Sequence, residues 1–171
     1  MNLNLTANTE KSHIFLQIEA ELQKLNFHIA KQDQSRPWGG FFVIEEEQAE
    51  LFANTFFPHI SLADLQITQK LSPKILVVAP EKRLSWQYHF RRAEIWKVIA
   101  GTVGVVTSLT DQEGELQTLS VNALIKLRQG ERHRLVGLKE WGALAEIWQH
   151  TDLHHPSDED DIVRLQDDFG R

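Results

Sequence analysis

Arg83-Leu-Ser-Trp-Gln-Tyr-His-Phe-Arg-Arg-Ala-Glu-Ile-Trp-Lys-Val-Ile-Ala-Gly101 is the stretch from which the rest of the chain can be read. Taken as an extended segment, it sets Gln87, His89 and Arg91 on one face and Trp86, Tyr88 and Phe90 on the other. A charged bend at Arg91-Arg92-Ala93 follows, after which Glu94, Trp96 and Val98 share a face and Gly101 supplies a turn. An amide, an imidazole and a carboxylate are thereby offered close together, which is half of a metal site. The other half is His133, reached through Leu127-Arg-Gln-Gly-Glu-Arg-His133, where Gly130 permits a tight turn between two strand-like runs. Taken singly, each histidine is more often a surface or hydrogen-bonded core residue. Together, two imidazoles, a carboxylate and an added oxygen donor suit zinc, iron or manganese, and the residue types do not choose among them.

Working outward, short apolar runs recur from Lys74 onward: Ile75 to Ala79, Leu84 to Phe90, Glu94 to Ile99, Val103 to Leu109, Leu116 to Leu119, Ala123 to Leu127, Arg132 to Val136 and Ala143 to Trp148. Turn signals such as Asp111-Gln-Glu-Gly114 separate most of them, so the pattern predicts a β-sandwich or small barrel. Ahead of it, Ile14, Phe15, Ile18, Leu22 and Leu25 fall three and four apart, an amphipathic helix over Thr9 to Leu25. Its stripe can cover the aromatic face of Trp86, Tyr88 and Phe90, meet a second subunit, or pack on the domain's own flank, which is the expectation here. Phe27 to Lys31 and Phe41 to Ile44 read as strands around the turn Ser35-Arg-Pro-Trp-Gly-Gly40. Glu45 to Phe57 reads as helical and Pro58 to Leu71 as an irregular insertion.

The chain of 171 residues is 42% hydrophobic, enough for one domain with a sizeable core. Residues 1–30 are expected to form a helical extension and 31–171 the β domain. A formal net charge of -6 argues against a general nucleic-acid binder, which neutralises phosphates with a basic surface. With no cysteine there are neither disulfides nor thiolate ligands, which suits a reducing compartment, and the cytoplasm is the default. No signal segment or membrane-length apolar run is present, so no membrane partner is expected. A homodimer is compatible with the outward aromatics and the apolar helix.

His-x-x-x-x-Glu, a Gly about seven residues on and Gly-x-x-His some thirty residues later resemble the two-part motif of the cupin superfamily. Arg36-Pro-Trp-Gly39, the Leu-Ser-x-Gln-x-His run within Arg83 to Thr102, and the tail Glu159-Asp-Asp-Ile-Val-Arg-Leu-Gln-Asp-Asp-Phe-Gly-Arg171 sharpen the likeness. They resemble the mannose-6-phosphate isomerase domain of the bifunctional type II enzymes, in which a sugar-nucleotide transferase domain comes first. The resemblance implies an all-β cupin jelly roll, a double-stranded β-helix, with the N-terminal helix and helical insertion added. Two departures stand out: Arg91 where that family has a second His, and Arg128 where it has a Pro. The type I isomerases, however, bind zinc through a Gln-x-His pair, a Glu and a later His. That likeness carries Gln87, His89, Glu94 and His133 over as metal ligands, with zinc first and iron, manganese, cobalt or nickel compatible, and it recasts Arg91 as an anion binder.

The activity implied is a metal-dependent aldose-ketose isomerase acting on a sugar phosphate, mannose-6-phosphate and fructose-6-phosphate first. The alternative is a cupin that binds a sugar or sugar phosphate without turnover. An isomerase needs a base, a stabiliser for enediolate oxygens and a grip on phosphate. Glu146 and Lys74 match family positions and form the catalytic set with Arg171. Arg36, Arg91, Arg92 and Arg164 are the substrate-binding candidates, since a guanidinium fork matches phosphate oxygens. For each arginine the alternative is a surface charge paired with tail acids, and for Arg36 and Trp38 an ordinary turn with Trp38 plugging the core. His150, His154 and His155 are set aside as ligands because their loop lacks a strand framework. The acidic run Ser157 to Asp161 is expected to cap a short helix rather than hold calcium.

Overall fold

The structure, a computed structural model, describes residues 3–170. In chain order its elements are α1 (Lys11–Lys24), β1 (Ile29–Asp33), β2 (Gly39–Ile44), α2 (Ala49–Phe56), α3 (Leu62–Leu65), β3 (Lys74–Val78), β4 (Trp86–His89), β5 (Arg92–Ala100), β6 (Thr102–Ser108), β7 (Leu116–Ser120), β8 (Leu124–Leu127), β9 (Arg132–Gly137), β10 (Gly142–His150) and β11 (Ile162–Gln166). The strands form two antiparallel sheets, one of order β1-β2-β3-β10-β5-β8 and one of order β11-β4-β9-β6-β7. This is the jelly-roll arrangement the strand spacing and the resemblance imply.

Period-two alternation explains two separate cores. On the inner face, Leu76, Val78, Trp96, Val98, Leu127 and Leu144 of the six-stranded sheet meet Val103, Val105 and Leu135 of the five-stranded sheet. On the outer face of the six-stranded sheet, Phe42, Ile75, Val77, Ile95, Ala145 and Ile147 lie under the helices. Strand β3 is therefore buried along its whole length, as its unbroken Ile-Leu-Val-Val run implies for a strand covered on both sides. Helix α1 buries Ile14, Phe15, Ile18 and Leu22 in that outer core with Phe52 and Phe56 of α2. Each such side chain contributes about 1.5–3 kcal/mol by leaving water. The stripe packs on the domain's own flank, as expected, and Trp86 is itself buried rather than outward.

The insertion is a 3-10 turn, α2 and the single turn α3, joining β2 to β3. The tail differs from expectation in one respect. The Asp158 carboxylate does cap a turn, accepting from the backbone N–H groups of Asp160 and Asp161, but that 3-10 turn leads into β11 rather than a helix. Strand β11 extends the five-stranded sheet by pairing Ile162 with His89 and Arg164 with Gln87. Among the described residues no helix is long and apolar enough to cross a membrane.

Candidate metal centre

His89 ends β4, Glu94 is the third residue of β5 and His133 lies on β9, so the three come from both sheets. Their donor atoms all lie within 4.8 Å of one another, and all three residues are buried. Glu94 stands 3.1 Å from His89 Nε2 through Oε1 and 3.3 Å from His133 Nε2 through Oε2. Donors bound at about 2.1 Å to one ion stand roughly 3–4 Å apart, so these separations suit a single cation. Local backbone contacts hold the arrangement. Gly130, at φ 76°, turns the chain so that its N–H donates to the His89 carbonyl, and Gln87 lies opposite His133 across β4 and β9.

The hydrogen bonds behind the rings decide which nitrogen faces the site. His133 Nδ1 lies 2.9 Å from the Glu131 carbonyl and His89 Nδ1 3.4 Å from that of Asp161. A carbonyl only accepts, so both Nδ1 atoms carry the proton and both Nε2 lone pairs point inward, the arrangement typical of metal-ligating histidines. Burial pushes the His89 imidazole toward its neutral form. The same burial opposes ionisation of Glu94, but His89, Arg92 and His133 around it hold its carboxyl well below the ordinary range. Glu94 Oε2 and His133 Nε2 are buried with no hydrogen-bond partner, and that pair of orphaned acceptors is where a divalent ion fits.

A guanidinium shares this space. Arg92, buried, donates through Nε to Glu94 Oε1 at 2.8 Å and through Nη2 toward His89 Nε2 at 3.2 Å. The bend falls at Phe90 and Arg91, one residue earlier than the sequence suggests, so Arg92 rather than Arg91 shares the inward face of Glu94. Arg91 turns to the tail instead, donating to the Pro156 carbonyl and to Asp158 Oδ1, each at 3.0 Å.

Next to the triad lies an inner cavity of about 90 Å³. Gln87, Glu94, Arg92, Lys74, Arg36, Arg164 and Glu146 all line it, so most of the sequence-selected residues come together there. Gln87 Oε1 accepts from Ser85 Oγ at 2.6 Å. Glu146 accepts from Trp96 Nε1 at 2.9 Å, and burial, with Glu94 nearby, pushes its carboxyl up to about 7. Arg171 lies outside the described residues. The Trp38 side chain is buried and also lines the cavity. Two lining residues escaped the sequence reading. Trp148, two residues after Glu146 on β10 and hence on its face, lies 3.7 Å from Lys74 Nζ and 3.6 Å from Arg92 Cζ, measured to a ring centroid. Glu159, read only as part of a cap, reaches Lys74 at 2.7 Å. Asp152, in contrast, only accepts from the His154 and His155 N–H groups in a solvent-exposed turn.

Residues 44–167 match the family described as "Mannose-6-phosphate isomerase C-terminal". The chain is 26% identical over 152 residues to a mannose-1-phosphate guanylyltransferase of Salmonella montevideo, covering 88% of this chain and 26% of that one. It is 34% identical over 104 residues to the mannose-1-phosphate guanylyltransferase ManC of Salmonella typhimurium, covering 60% and 20%. The chain thus spans about a quarter or less of these relatives. Among solved structures, vicilin from Corylus avellana superposes with a TM-score of 0.54 at 12% identity, over 78% of this chain and 34% of that one, a likeness of fold alone. These relatives correct the expected activity. They are named for nucleotidyl transfer to mannose-1-phosphate, not for aldose-ketose isomerisation, so the isomerase expectation does not stand.

Proposed function

Because the chain belongs to the mannose-6-phosphate isomerase C-terminal family, we propose that it is a metal-binding domain that takes up a phosphorylated sugar, with zinc as the ion and a mannose phosphate as the ligand. One observation carries this reading: a carboxylate of the metal triad and the cations Lys74, Arg36 and Arg92 converge on one cavity. The arginine forks and the lysine ammonium suit a phosphate dianion. Glu146, close to half-ionised at neutrality, can either donate to or accept from a sugar hydroxyl. Trp38, Phe41 and Trp148 supply apolar wall beside these polar groups. A divalent ion held by His89, Glu94 and His133 adds a positive centre for sugar or phosphate oxygens.

The test is calorimetric titration of the protein, with and without added zinc or manganese, using mannose 1-phosphate, mannose 6-phosphate and mannose. Saturable binding of a phosphosugar, with mannose bound far more weakly, is the expected result. If neither phosphosugar binds under any metal condition, the reading fails.

A further inference from the structure

A second, larger cavity of about 370 Å³ lies on the outer side of the inner one, and the two share four lining residues: Phe41, Lys74, Trp148 and Glu159. The Lys74–Glu159 ion pair, 2.7 Å long, is the polar part of that shared wall. Its members differ in setting. The Lys74 side chain is 10% exposed, directly across from Glu146 in the β3–β10 pairing, whereas the Glu159 side chain is 63% exposed and sits on the 3-10 turn before β11. The inner cavity alone has room for about three waters at roughly 30 Å³ each, too little for a hexose with its phosphate. A phosphosugar therefore needs the wall opened, and the exposed carboxylate on the tail is the part of it that can leave.

We propose that Lys74 is the phosphate anchor of the site and that the Glu159 carboxylate stands in for the ligand's anion, leaving when a phosphomonoester takes over Lys74 and joins the two cavities. The inference rests on the sugar-phosphate reading above and adds to it the anchor and the competing group. A carboxylate oxygen and a phosphate oxygen accept the same hydrogen bond from an ammonium, so the exchange keeps the buried cation paired throughout. Arg92 and Arg36 also act on Glu159: although burial opposes its ionisation, Lys74 first and then these two arginines hold its carboxyl below the ordinary range. The tail acid thus already lies in the combined field of the cations that a phosphate would meet.

The experiment titrates mannose 6-phosphate, inorganic phosphate and mannose into the wild-type protein, Glu159→Gln and Lys74→Met. Removing the competing charge at a half-exposed pair should tighten binding of both phosphate ligands roughly three- to fivefold in Glu159→Gln and leave mannose unchanged. Lys74→Met should weaken the phosphate ligands at least tenfold. If the wild type binds phosphosugar and Glu159→Gln binds it no more tightly, the stand-in role is overturned while the sugar-phosphate reading survives. If neither protein binds a phosphosugar, both fall. Because Glu159 is exposed, its variant tests the proposal even if Lys74→Met fails to fold.

Discussion

Arg92 and the imidazole of His89 meet over the same lone pair, so the positive charge at the centre can come from the protein or from an ion. A divalent ion binding His89 Nε2 and Glu94 has to displace one guanidinium nitrogen and sit close to the rest of that cation. Arg92→Met should therefore raise zinc or manganese affinity by roughly tenfold, about 1.4 kcal/mol, as read by calorimetry. His133→Ala should lower metal content at least tenfold by elemental analysis, because it removes one of the two orphaned acceptors. Unchanged content in His133→Ala would take that residue out of the ligand set.

At the scale of elements, the tail strand is tied down by one carboxylate. Buried Asp161 accepts from the Phe90 and Arg91 N–H groups at 3.1 and 3.0 Å and from Ser157 Oγ at 2.6 Å, fixing the bend between β4 and β5 against the start of β11. Asp161→Ala leaves these donors unpaired and should cost about 2–4 kcal/mol in urea denaturation. Asp160→Ala, at an exposed neighbour, should cost under about 0.5 kcal/mol. Equal losses in the two variants would show that the carboxylate does not hold the tail. The acidic run reads from sequence as a cap, and its cap is real. Strand β11 is hidden there because Ile-Val-Arg-Leu-Gln is short and half-exposed, and only pairing with β4 makes it a strand.

For the whole molecule, stability against pH balances two buried groups. Burial, then Lys70, Arg92, Lys74 and Arg91, depress the His150 imidazole to about 4. The unfolded chain takes up that proton near 6.5, so this contribution, on the order of 3 kcal/mol, is complete above pH 6.5 and is lost as pH falls toward 4. Glu146 has the opposite sign: raised to about 7, its folded carboxyl binds a proton that the unfolded chain releases above about 4.5, so stability from it grows as pH falls through that window. Glu146→Gln should therefore lose stability more steeply than wild type between pH 6.5 and 4.5, and His150→Gln less steeply. Parallel denaturation curves at the two pH values would refute both assignments.

The sequence by itself determined the jelly roll and three ligand positions, because a period of two sorts each strand's faces and a glycine turn returns His133 toward β4. Tertiary structure alone decided which arginine enters the centre and which acid guards the pocket. A bend displaced by one residue exchanges Arg91 for Arg92, since neighbouring strand residues face opposite ways. Glu159 meets Lys74 across 85 residues of sequence only after β11 docks on β4, and no local pattern encodes a contact that depends on two distant strands pairing.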